Sequence, residues 1–194
     1  MKLFYLIFML LLTGCGSVST PDSHYYRLTD IKEDDVIVKA GLDAGIAVAQ
    51  VKVSGLLQNR NLLYVEQGKP NEIIPFHYHL WHESLPKLLT RHFIDYLKLA
   101  GDSDNIIHYK YTADHNYRLQ LSVSKMEIHY LPDASSLLLK VSIQMVDKKG
   151  VMLLNKDYSS VKSYKTRDIY QLVTHYNEVL IDVYSQFIKD VNLL

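Results

Sequence analysis

YRLQLSVSKMEIHY (residues 117–130), SLLLKVSIQMV (136–146) and VMLLNKDYSSV (151–161) are three runs that decide the fold, the first two by their alternation and the third by the turn that leads into it. In the first, Tyr117, Leu119, Leu121 and Val123 share one face, and Arg118, Gln120, Ser122 and Ser124 the other. A period of two places successive side chains on opposite faces of a strand. The phase then slips to Met126, Ile128 and Tyr130, which predicts a bulge near Ser124 or Lys125. Leu137, Leu139, Val141, Ile143 and Met145 repeat the pattern against Lys140, Ser142 and Gln144. Pro132-Asp133 and Lys148-Lys149-Gly150 supply the turns, so the three runs form an antiparallel meander.

On either side of the meander the period changes to that of a helix. Ile169, Leu172, Val173, Tyr176, Leu180, Val183 and Phe187 fall on one stripe of a helix over about 167–191, with Thr166 as its expected N-cap. Leu85, Leu88, Leu89, His92, Phe93, Tyr96 and Leu97 do the same over 82–99, with Pro86 in the first turn and Gly101 as the stop. Shorter strands are expected at 24–28, 62–66 and 73–77. GIAVAQVKV (45–53) is apolar on both alternations, which predicts a central strand covered on both faces or one with a bulge near Gln50. The reading is α+β: one antiparallel or mixed sheet of about five to seven strands with two main helices on one face, leaving the other face for a partner. Residues 24–194 form one domain, a size that buries enough surface to fold without a disulfide.

The N-terminus is an address. Lys2, the apolar run Leu3 to Leu12 and small residues thereafter read as a secretory signal. Gly14, Gly16, Ser17, Ser19, Thr20 and Pro21 end the run well short of the ~20 residues a spanning helix needs. Cys15 is the only cysteine, and Leu12-Thr13-Gly14-Cys15 resembles the lipobox of bacterial lipoproteins. That resemblance implies removal of residues 1–14 and lipidation of Cys15; two or more acyl chains give stable anchoring where one is marginal. Gly16, rather than aspartate, follows the cysteine, which implies sorting to the outer membrane. Residues 15–23 are then the lipidated cysteine and a flexible tether; the eight residues Gly16–Ser23 reach less than roughly 30 Å.

Composition removes several classes of function. The chain carries 21 basic and 21 acidic side chains, so no net field recruits nucleic acid or anionic head groups. Nucleophile-elbow, Ser-x-x-Lys and phosphate-loop motifs are absent, and the only thiol is committed, which argues against an enzyme. No cofactor is expected. Of the nine histidines, His77, His79 and His82 are the densest group. On a strand His77 and His79 share a face, as two zinc ligands would, but His82 has to turn back from the helix start; ordinary hydrogen-bonded histidines are the competing reading.

The whole pattern resembles the auxiliary lipoprotein family of ABC-type transport systems, the PqiC-like lipoproteins of MCE lipid transport. The resemblance rests on the tyrosine-rich strand start His24-Tyr25-Tyr26-Arg27-Leu28, on VAQVKVSGLLQNR (48–60) leading to the strand Leu62–Val65, and on Trp81 opening the first long helix. Where the family often has proline in the first strand-to-loop transition, this chain has Ser54-Gly55. The family implies a fold like the N-terminal domain of TolB. It also implies a homo-oligomeric, non-catalytic adaptor on the periplasmic side of the outer membrane, partnered by an MCE-domain tunnel protein and, through it, an inner-membrane ABC permease.

The candidate partner surface comprises Tyr25, Tyr26, Leu56, Leu57 and Trp81; buried packing is the favoured competing reading for each of the three aromatics, whereas two adjacent loop leucines are hard to bury together. Two other readings stand beside the adaptor: an assembly factor or plug for an outer-membrane β-barrel, and a lipid-anchored metal-dependent hydrolase built on the histidine cluster.

Overall fold

The computed structural model describes residues 21–41, 45–101, 106–108 and 115–194. In chain order the elements are β1 (His24–Tyr26), β2 (Ile46–Val48), β3 (Lys52–Val53), β4 (Asn61–Val65), β5 (Ile74–Trp81), α1 (Leu85–Gly101), β6 (Ile106–His108), β7 (Tyr117–Tyr130), β8 (Ser135–Asp147), β9 (Met152–Tyr164) and α2 (Ile169–Val191).

Strand β7 is the spine of a mixed sheet. β8 runs antiparallel along its whole length, from Tyr117↔Asp147 to Tyr130↔Ser135, and β9 pairs outside β8. Along the other side of β7 three short strands follow one another, all parallel to it: β2 at Tyr117, β3 at Ser122 and β4 at Ile128. β6 lies outside β2, β5 outside β4, and β1 outside β5. The register of β7 and β8 shifts between Val123 and Lys125, which places the expected bulge at Ser124. That extra residue returns Met126 and Ile128 to the face already held by Leu119, Leu121 and Val123.

The nine strands exceed the expected five to seven, because one anticipated strand is two and a short parallel strand, β6, is added. The break within 45–53 has a local cause: the Val51 amide donates to Thr90 Oγ1 of α1 at 2.8 Å instead of to a neighbouring strand. Thr90 in turn donates to the Pro86 carbonyl at 2.6 Å. β5 also runs further than expected, to Trp81, whose amide donates to the Arg60 carbonyl. Trp81 therefore ends a strand and does not open the helix; α1 starts at Leu85, with the Ser84 carbonyl accepting from Lys87 and Leu88. The N-cap of α2 is Asp168, not Thr166: Asp168 Oδ1 accepts from the Gln171 amide at 2.8 Å, and Thr166 Oγ1 accepts from the Asp168 amide one step earlier.

Both helices pack on the face carrying Leu119, Leu121, Leu137, Leu139, Val141, Ile143 and Met145, all buried in one core. On β8 the opposite face presents Lys140 and Gln144 to solvent. An aromatic seam joins the helices, with Phe93 against Tyr184 at 4.8 Å and Phe187 at 5.9 Å between ring centroids. Among the described residues no helix is long and apolar enough to cross a membrane. The signal and lipobox residues Leu12, Thr13, Gly14, Cys15 and Gly16 lie outside the described residues.

Candidate functional site

β1 is an edge strand lying parallel to the end of β5, with His24↔His79, Tyr25↔Leu80 and Tyr26↔Trp81 in register. The His82 amide extends the ladder by donating to the Tyr26 carbonyl at 2.8 Å. Side chains close the seam. His24 stacks on His79 at 5.1 Å, and the Tyr26 hydroxyl and His79 Nδ1 lie 2.8 Å apart. On the other side Arg60 donates from Nε to the Trp81 carbonyl and from Nη2 to the His82 carbonyl, at 2.9 and 2.6 Å, while its guanidinium sits 5.5 Å from the Tyr25 ring. One arginine thus ties β1, β4 and β5 together.

Between residues 24–30 and the first turns of α2 opens a groove of about 940 Å³, within the size range of binding clefts. Tyr25, Tyr26, His79, Arg167, Tyr170 and Val173 are its main side chains. Tyr25 and Tyr170 are 61% and 72% exposed. Arg167 is held over the Tyr130 ring at 4.7 Å. Burial, with the nearby Asp168 carboxylate, raises the Tyr26 hydroxyl above the usual phenol range, so it stays protonated. Burial and the adjacent His24 lower His79 below the usual imidazole value. At neutral pH the His79 ring is therefore uncharged and accepts the Tyr26 proton donor. The groove offers aromatic faces, a guanidinium and hydrogen-bonding tips, a chemistry suited to binding.

The expected surface residues separate. Tyr25 and Tyr26 reach this groove, Tyr25 fully outward and Tyr26 half-buried. Leu56 is exposed on the short 3-10 turn Gly55–Gln58 but does not line the groove. Leu57 and Trp81 are corrections: at 4% and 2% exposure both belong to the core. Gly55, at φ 59°, turns the backbone so that the adjacent leucines diverge, one outward and one inward. Trp81 packs edge-on against Tyr176 of α2 at 5.8 Å.

The histidine cluster disperses too. His77 is exposed beside Tyr78, His79 is taken up by Tyr26 and His24, and His82 approaches the Tyr26 carbonyl through Nδ1 and Glu83 through Nε2. Among the described residues no three His, Cys, Asp or Glu side chains stand together as metal ligands would. Sequence reasoning missed Arg167 and Tyr170. Their one signal was position, since both lie at the start of a helix and off its apolar stripe.

Comparison with solved structures supports the architecture. A crystal structure of a Xanthomonas campestris protein superposes with a TM-score of 0.73 at 11% identity, over 88% of this chain and 95% of that one. Another, of an uncharacterized protein, gives 0.64 at 14% identity over 89% and 98%. These likenesses establish a shared fold. No curated protein matches the chain. The model of one protein family, described as the ABC-type transport auxiliary lipoprotein component, matches residues 26–186, from the end of β1 to the last turns of α2. The chain belongs to that family.

Proposed function

We propose that the protein is an outer-membrane lipoprotein, anchored through Cys15 after cleavage behind Leu12-Thr13-Gly14 and facing the periplasm. There it acts as a non-catalytic adaptor of an MCE/ABC-type lipid transport system. The family match over residues 26–186 carries this reading, since it assigns the folded part of the chain to an auxiliary transport component. The short tether supports it: a domain held within roughly 30 Å of its membrane needs a partner to span the rest of the envelope. The groove beside β1 supports it as well, because exposed tyrosines next to an arginine are the composition of interface hot spots. In this reading the MCE-domain protein docks over Tyr25 and Tyr170, and copies of the chain assemble side by side.

The test is to extract the full-length, C-terminally tagged protein in mild detergent, crosslink it and identify its partners by mass spectrometry. An MCE-domain protein is the expected catch, and Tyr25→Asp with Tyr170→Asp should reduce its recovery about tenfold or more. A β-barrel as the dominant partner would replace the adaptor with the assembly-factor reading.

A further inference from the structure

Little backbone and several rings hold β1 to the body of the domain. Only three residues pair with β5, yet His24, His79 and His82 all sit on that seam. His24 and His79 are nearly coplanar, 13° apart at 5.1 Å. Tyr26 rests on the same His79 ring at 5.8 Å while its hydroxyl meets Nδ1. We propose that this seam is an acid-released latch: protonation of His79, stacked on His24 and bonded to Tyr26, frees residues 24–27 from β5, lengthens the membrane tether and bares the outer edge of β5.

The seam is built for the neutral rings. In the neutral Nε2–H tautomer His79 Nδ1 accepts from the Tyr26 hydroxyl; a second ring proton removes that acceptor and leaves only the bond in which the Tyr26 oxygen accepts. A charge on His79 also sits in a half-buried wall, face to face with a second ionisable ring. The surrounding groups leave the balance against charge. From α2 and the residue before it come Asp168, whose carboxylate already caps the helix, and Arg167; from the segment after β1 come Arg27 and Asp30. Before β4 stands Arg60, over Tyr25. Glu83, the remaining nearby carboxylate, is shared among Lys87, Arg91 and His82.

The sign follows. His79 binds its proton less readily when latched than when free, so the released form takes up protons first; the latch is closed above about pH 6.5 and weakens below it. Releasing four residues adds roughly 14 Å of reach.

Hydrogen–deuterium exchange of the full-length lipoprotein in detergent, at pH 7.5 and 5.5 with intrinsic rates corrected, tests the latch. The His82 amide, which donates to Tyr26, and the amides of residues 24–27 should lose protection at pH 5.5 while those of β7, β8 and α1 keep theirs. His79→Phe keeps a stacking ring without a charge and should hold the seam protected at pH 5.5. If that variant misfolds, His79→Gln, which cannot ionise and keeps a polar partner for the Tyr26 hydroxyl, should do the same. Protection unchanged between the two pH values, lost equally in the folded His79 variant, or lost only together with the core would overturn the proposal.

Discussion

At the scale of single residues, His92 is the most consequential buried group. It lies on the apolar stripe of α1, 5% exposed, with Nε2 2.7 Å from Asn177 Oδ1 of α2. Burial lowers its pKa to about 4, against the pull of the Asn177 bond. The unfolded chain, with an ordinary histidine near 6.5, therefore binds the proton first. The stabilising contribution is complete above about pH 6.5 and is lost as pH falls towards 4. Wild type should lose roughly 2–3 kcal/mol more than His92→Gln between pH 7.5 and 4.5 in urea unfolding, because glutamine keeps a donor for Asn177 and cannot ionise; parallel losses would refute the assignment. The paired leucines give a second contrast. Leu57→Ala should cost about 2–5 kcal/mol and Leu56→Ala within about 0.5, read from the same melts. Sequence alone grouped the two, since nothing in Gly55-Leu56-Leu57 says which way a left-handed glycine turns the chain. Tyr25 and Trp81 read alike in the sequence, as surface candidates with buried packing the heavier alternative, and only the docking of β1 and β5 separates the exposed ring from the buried one.

Among the elements, long periodic ones were legible and short paired ones were not. β7 and β8 declare themselves by alternation and β9 by the Lys148-Lys149-Gly150 turn before it, and the slip after Val123 located the Ser124 bulge because misphasing would bury Lys125 and expose Met126. β1, β2, β3 and β6 have two or three residues each, and a strand so short exists only because a distant partner supplies its hydrogen bonds. No local pattern encodes that. The start of α2 shows how a boundary hinges on one side chain. Thr166 and Asp168 are both capping residues by type, and the Gln171 amide chooses the aspartate. Asp168→Ala should lower stability by about 1 kcal/mol, and Thr166→Ala by clearly less, in thermal or urea unfolding. The reverse order would return the cap to Thr166. Because Asp168 and Arg167 also line the groove, the same helix start that ends the meander shapes the candidate site.

For the whole molecule, anchoring and folding should be separable. Cys15→Ser should move the protein from the membrane to the soluble fraction without shifting its melting temperature, since the lipobox precedes every described element. A protein that stays membrane-bound would place the anchor elsewhere. The groove was not legible at all, because it joins the first strand to the last helix across some 140 residues of chain and exists only once both have docked. The same remoteness governs how the chain reaches its native state. β2 with β6 and β4 with β5 can pair earlier, but β3 has no strand partner and the two pairs stay unjoined until β7 exists, and Ile46 meets Tyr117 only after all of the intervening chain is available. A polypeptide emerging amino end first must carry Ile46, Val48 and Leu62, all buried in the finished fold, without their full cover while it waits. A chain ending at Asn116 should accordingly show no cooperative thermal unfolding by circular dichroism, because the strand that joins its pairs is missing. The spine that makes the finished sheet coherent should therefore also make folding slow, since it joins strands about 70 residues apart in the chain.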